Sequence, residues 1–336
     1  MRHRFSPFLI SLFILLLAVL LSIAVGSVFI PPADLWRVLS GGTPRVVAQA
    51  GTIVLTLRLP RTALVLLTGA ALGTSGAAYQ GLFRNPLADP YLIGVASGAG
   101  LGAVLAMSLN WGYTPAALLA VPAAAFAGAL LTVFLVYFMA RLGKTVPTTN
   151  LILAGVAFSF FASALTSYLM LRSTGELRRA IAWLLGGSVQ SGWEAVLAIL
   201  PFLLPGLAVL LLSGHALNLL QFGDDQAAQM GLPVARSRTI ILAAASLATA
   251  SAVAFSGIIG FIGLIVPHLV RMWSGADHRR LLPLALISGA AALLLADVLA
   301  RILIAPQELP VGIVTALVGA PFFLWVLRRA RNRGAW

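Results

Sequence analysis

The sequence predicts an all-α polytopic membrane protein with ten transmembrane helices, and three observations carry that prediction. Hydrophobic residues make up 60% of the chain and charged residues only 9%, where a soluble domain is about a quarter charged. The mean hydropathy is +1.01. The apolar residues also fall into runs close to the ~20 residues that a helix needs to cross a hydrocarbon core of about 30 Å, with short polar segments between them.

Taken in order, the spans are expected at about 8–30, 62–82, 91–109, 115–140, 149–171, 193–213, 239–255, 257–272, 281–300 and 310–327, forming one transmembrane domain over 1–336. Met1 to Arg4 is basic. Ala24-Val25-Gly26 loosely resembles a signal cleavage site, but the preceding apolar run exceeds a usual signal core, so retention is expected. From Tyr91 to Ala140 there is no charge, which suits two crossings broken at the aromatic turn 110–115. Glu176 to Leu185 is amphipathic and reads as a surface helix with Trp183 at the interface. The run from Thr239 to Val270 is long for one span and short for two. Ser256, Gly257 and Gly260 divide it into a full span and a shorter crossing.

Charge placement orients the chain. Ten spans put 14 of the 22 Lys and Arg residues on the side of the termini and eight on the other. The basic side is therefore expected to be cytoplasmic, with both termini inside. The net charge of +13 fits this anchoring and not nucleic-acid binding. Small residues recur every four positions at Gly69/Gly73, Gly94/Gly98/Gly102 and Gly312/Ala316/Ala320, a spacing that lets helices approach closely in lipid.

Between the sixth and seventh spans lies a polar island, 214–238. Asp224-Asp225 can cap a short helix through Met230, with Gly231 in the left-handed C′ position and Pro233 preventing continuation. An ordinary capped loop has the same local signals.

Several functions are excluded or weakened. There are no cysteines, so disulfides, thiol catalysis and Cys-ligated metals are ruled out. Gly143-Lys144-Thr145 ends like a phosphate-binding loop, but Phe138 stands where the first glycine is required. No His-Glu-x-x-His occurs. Ionisable residues within the spans are nearly confined to Glu194, His268 and Asp297, which weakens an ion-coupled secondary transporter. The remaining reading is a conduit driven by partners.

Motifs along most of the chain resemble the FecCD (BtuC-like) permeases of ABC importers. They are RLPR (58–61), GAALGTSGAAYQGLFRNPLADPYLIGVASGAGLGA (69–103), LILAGVA (151–157) and LxxLxxGDxxAxxMGLPV in the polar island. SGIIGFIGLIVPHLVR (256–271), ALLLADVLAR (292–301) and ELPVGIVTALVGAPFFLWVL (308–327) complete the set. The resemblance implies a type II importer fold in the bacterial cytoplasmic (inner) membrane. It implies a homodimer or pseudo-dimer, two ABC ATPase subunits that hold the ATP, and an extracytoplasmic binding protein. No cofactor or resident metal is expected on this chain, and no enzymatic activity. Cargo is expected to be a metal chelate, with ferric siderophore favoured and haem or vitamin B12 as alternatives.

The resemblance also implies residue roles. Asp224, Asp225, Gln226, Ala227, Ala228, Gln229, Met230 and Gly231 would form the ATPase contact, with a second, weaker one around His268 and 271–280. Arg58, Arg61 and Arg301 would dock carboxylates of the binding protein, and lipid anchoring is the plainer role for outer-face arginines. Thr148 and Thr149 would narrow the pore as a cytoplasmic gate, although a Thr at a helix start is also an ordinary cap.

Overall fold

The computed structural model describes residues 6–26, 51–109, 115–143, 146–172, 177–187 and 192–331, with isolated positions between 30 and 40. The aromatic turn at 110–114, Lys144, Thr145 and Glu176 lie outside them. Among the described residues the protein is all helical. The helices are α1 (Pro7–Ala24), α2 (Leu59–Leu82), α3 (Val95–Ser108), α4 (Pro115–Ala140), α5 (Thr148–Arg172), α6 (Leu177–Leu184) and α7 (Trp193–Leu212). They continue as α8 (Gly214–Leu220), α9 (Asp224–Gln229), α10 (Val234–Ser256), α11 (Ile262–Ser274), α12 (His278–Ile302) and α13 (Val311–Arg331).

Seven of these segments are long and apolar enough to cross a membrane, and α3 and 311–326 are shorter apolar helices. α11, with 13 residues, is shorter still. Proline and glycine set several boundaries. Gly94, expected within a span, instead takes φ +83 at the end of a 3-10 turn over Pro90–Ile93, so α3 begins at Val95. The junction that divides the run 239–270 is real but sharper than its glycines suggest. Gly257 has φ +76, and Phe261, a non-glycine, has φ +69. Helix α10 starts at Val234, five residues before the expected 239, which places Arg236 and Arg238 inside its first turns. α2 is preceded by a π-helical segment, Ile53–Arg58, that continues the helix backwards.

The core is organised on α2, which packs against α12, α10, α11 and α7. Residues 68–82 are buried throughout. The small-residue stripe explains how. Gly69 and Gly73 face Ala285, Gly289 and Ala290 of α12, where any Cβ would strike the opposing backbone. In lipid, where tails are as apolar as side chains, such close contact is a principal attraction between helices. Gly98 and Gly102 meet Gly128 and Ala124 of α4 in the same way. Polar clips add direction. Tyr79 Oη lies 2.8 Å from Ser246 Oγ, and Gln80 Nε2 donates to the Leu264 carbonyl at 3.2 Å.

Trp183 corrects an expectation. It is buried, not interfacial, because the Ala180 and Trp183 face of α6 turns inward, with the Trp183 carbonyl against Gly257.

Candidate functional site

Two polar clusters lie at opposite ends of α2, separated by about 30 Å for the twenty residues from Arg61 to Gly81 at 1.5 Å per residue. The first brings Arg61 and Arg301 to one carboxylate, with Arg58 beside them on the end of α1. Asp297, one turn before Arg301 on α12, is fully buried. Arg61 Nη2 reaches its Oδ1 at 2.8 Å and Arg301 Nη2 reaches its Oδ2 at 3.0 Å. Arg61 also donates from Nη1 to Glu308 Oε2 at 2.6 Å.

The other donors of this cluster turn inward. Arg301 Nη1 donates to the Ser22 and Val25 carbonyls at 3.0 and 2.9 Å. Arg58 Nη1 donates to the Ile23 and Ala24 carbonyls at 2.8 and 2.9 Å. These carbonyls belong to the last turn of α1 and the residue after it, which lack intrahelical partners, so two guanidiniums cap one helix end. Arg58 and Arg301 are consequently almost covered, at 7% and 3% exposure. Arg61 keeps 19% of its side chain accessible and Glu308 42%. The three arginines expected to act together are therefore together, and Arg61 is the one best presented outward. Asp297, which joins Arg61 to Arg301, looked in the sequence only like an isolated acid near a span end.

The second cluster is built on the polar island. Gly223, with φ +102, enters α9. The helix closes with Gly231 at φ +87, whose N–H donates to the Ala228 carbonyl at 2.9 Å while Leu232 N–H donates to Ala227 at 3.0 Å. This paired closure is a Schellman turn. The acids do not cap as expected: no side chain bonds the first turn. Asp224 instead accepts from Arg238 Nη2 at 2.8 Å, and Arg84 Nη2 lies 3.9 Å away. Ala227 is the buried anchor of α9. Its opposite face shows Asp225, Gln226, Ala228 and Gln229. Two large apolar side chains flank it in the open, Phe222 at 63% and Met230 at 49% exposure.

α8 fastens this cluster to the core. Gln221 Nε2 donates to the Gly81 carbonyl of α2 at 2.8 Å. Asn218 Nδ2 donates to Asp277 Oδ1 at 2.6 Å, and Asn218 Oδ1 accepts from the His278 N–H at 2.8 Å. Asp277 in turn caps α12 by accepting from Arg279 N–H at 3.0 Å. His278, the first residue of α12, is buried, with its Nδ1 2.9 Å from Asn218 Oδ1.

Thr148 begins α5 and lines a cavity of about 1000 Å³ shared with Asp224, Asp225 and the first turns of α10. Thr149 is exposed on the neighbouring face. His268 lies apart, edge-on to Phe322 of α13 with ring centroids 6.3 Å apart.

Residues 14–329 match the model of the FecCD transport family. The chain belongs to that family. This FecCD member is 40% identical over 339 residues to the uncharacterized ABC transporter permease protein YvrB of Bacillus subtilis (strain 168), covering 99% of this chain and 96% of that one. It is 48% identical over 279 residues to the cobalamin import system permease protein BtuC of Halobacterium salinarum, covering 83% and 74%. It is 42% identical over 320 residues to the vitamin B12 import system permease protein BtuC of Escherichia coli O9:H4 (strain HS), covering 95% and 94%. A solved structure described as an inward-facing conformation of a metal-chelate type ABC transporter superposes with a TM-score of 0.84 at 32% identity, covering 96% of this chain and 98% of that one.

Proposed function

We propose that this FecCD member is the permease subunit of an ATP-driven importer. It would work as a homodimer whose ten crossings per chain have both termini in the cytoplasm. ATP is hydrolysed on two partner subunits, and an extracytoplasmic binding protein delivers the cargo. The observation that carries this reading is α9: a short helix locked by Ala227 and a Schellman turn, with Phe222 and Met230 exposed beside it. Exposed apolar side chains beside a polar helix face suit a protein partner, since the centre of an interface is apolar and its rim polar. Force on α9 would pass through α8 and its bonds to Gly81 and Asp277 into α2 and α12, the centre of the fold. α5 starts at Thr148, across the shared cavity, so a gate formed there by Thr148 and Thr149 would sit beside the motor contact.

At the opposite end we assign docking to the Arg61 cluster, with Arg61 and Glu308 as its exposed members. A partner carboxylate would have to replace Glu308 on Arg61. Arg58 and Arg301 would act from behind by holding the end of α1 and keeping the site positive. An ion-coupled transporter needs an exchangeable acid, and Asp297 does not suit that task with both oxygens held by guanidiniums.

For cargo, the two BtuC relatives named above are import permeases for cobalamin or vitamin B12, and the solved neighbour is of the metal-chelate type. A corrinoid is therefore the first cargo to test, ahead of the ferric siderophore expected from the sequence. Reconstituted in proteoliposomes with its ATPase and binding protein, the permease should take up cyanocobalamin or a ferric siderophore only when ATP is supplied on the ATPase side. Uptake driven by a proton or sodium gradient without ATP would overturn the proposal.

A further inference from the structure

We propose that the cavity beside α9 is a binding site for one anionic phospholipid of the adjacent leaflet, with the phosphate on arginines at the rim and an acyl chain on the apolar wall. This rests on the orientation proposed above, which places the Asp224 end in the cytoplasm. The cavity encloses about 1000 Å³, at the upper end of the range for small-molecule sites. Its wall is built from Leu82 and Phe83 at the end of α2, Leu151 of α5 and Leu242 of α10. Its rim carries Arg141, Arg236 and Arg238 together with Asp224 and Asp225.

The state of those arginines points to the ligand. Arg238 is already committed to Asp224. Among the described residues, Arg141 uses only its Nε, on the Gly143 carbonyl at 2.8 Å. Arg236 is exposed and makes no hydrogen bond or ion pair among the described residues. Two guanidinium forks thus remain unused at the mouth of an apolar chamber, where α4, α5 and α10 reach their ends. A guanidinium presents paired N–H donors in the geometry of a phosphate, and basic pockets between helices at the cytoplasmic surface suit anionic headgroups. A free anion would satisfy the rim but leave the apolar wall wet. An uncharged lipid would cover the wall but leave both forks unmatched. An anionic lipid does both. Because Thr148 and α9 share the cavity, such a lipid would touch the proposed gate and motor contact together.

The test needs neither partner protein, so its failure is separable from failure of the transport reading. The full chain is purified in detergent, exchanged against phosphatidylglycerol or phosphatidylcholine, and examined by native mass spectrometry. One phosphatidylglycerol per chain should survive activation that strips phosphatidylcholine. Joint Arg141→Ala and Arg236→Ala substitution should cut its retention at least fivefold, and Leu242→Trp, which fills the wall while leaving the rim intact, should do the same. Thermal melting of each variant checks that it is folded. Equal retention of the two lipids, or phosphatidylglycerol retention unchanged in both variants, would overturn the site. Displacement of the lipid by millimolar inorganic phosphate would overturn the lipid assignment in favour of a free anion.

Discussion

The two polar ends of α2 use the same residue types in opposite ways. At the Arg61 end, Arg58, Arg301 and Asp297 are buried, and the two arginines donate into the chain. At the Asp224 end, Arg84, Arg236 and Asp225 lie in the open, and the ion pair from Asp224 to Arg238 joins a side chain 44% exposed to one 20% exposed. Burial decides what each cluster does. A buried pair adds little net stability, because desolvation offsets its attraction, but costs several kcal/mol to break, because the survivor is left charged and unmatched. An exposed pair contributes about 0–1 kcal/mol and leaves its surface free for a partner. The first end is fastened and the second is presented.

The largest expected effect comes from removing the buried acid. Asp297→Ala leaves Arg61 and Arg301 facing each other and should destabilise the protein by about 3–5 kcal/mol. Its melting temperature in detergent should fall sharply, while Asp297→Glu recovers part of the loss. A melting temperature within two or three degrees of the parent would show that the cluster is not a structural fastening.

Next is the turn that closes α9. Gly231→Val places a β-branched residue at φ +87, a strain of about 1–2 kcal/mol confined to the α9 end. ATP hydrolysis by the assembled complex should lose its dependence on cargo and binding protein, with the purified permease still folded. Normal stimulation in this variant would argue that the shape of α9 is not what the ATPase reads.

Docking at the Arg61 end should respond in opposite directions to two changes. Arg61→Glu should weaken binding-protein affinity by roughly tenfold or more, a charge reversal worth at least about 1.4 kcal/mol. Glu308→Gln, which frees Arg61 from its internal partner, should strengthen it a few-fold. Both are read by surface plasmon resonance on nanodisc-held permease. Unchanged affinity in both variants would move docking elsewhere.

The smallest effect is a pH dependence at the Asp224 end. Asp89, in the turn between α2 and α3, has its pKa pushed up to about 6, chiefly by desolvation and against a weaker downward pull from the Tyr91 N–H. The stability this contributes is full below the ordinary carboxylate pKa of about 3.9 and is lost as the pH rises through 6. The melting temperature of the parent relative to Asp89→Asn should therefore fall between pH 4.5 and pH 7. A constant difference would contradict a desolvated carboxyl in this turn.

Much of this was legible in the chain. The apolar runs located the helices, and RLPR and ALLLADVLAR pointed to arginines that the fold brings together. Gly231 closes α9 as its position before Leu-Pro suggested. What stayed hidden depended on partners far away in sequence. Asp297 acquires its role from Arg61, which lies 236 positions earlier. Asp224 could have capped its own helix, but Arg238 draws it away once α10 folds back, a competition that local patterns do not contain. Gly94 has the spacing of a packing stripe yet serves a turn, because Pro90 starts a 3-10 segment just before it.

Cross-linking tests the central claim most directly, and the natural absence of cysteine makes it clean. Gln226→Cys or Gln229→Cys on the open face of α9 should form a specific cross-link to the ATPase subunit in the assembled complex, and Gln307→Cys at the Arg61 end should not. An intact complex in which neither α9 position cross-links to the ATPase would contradict the assignment of this helix as the motor contact.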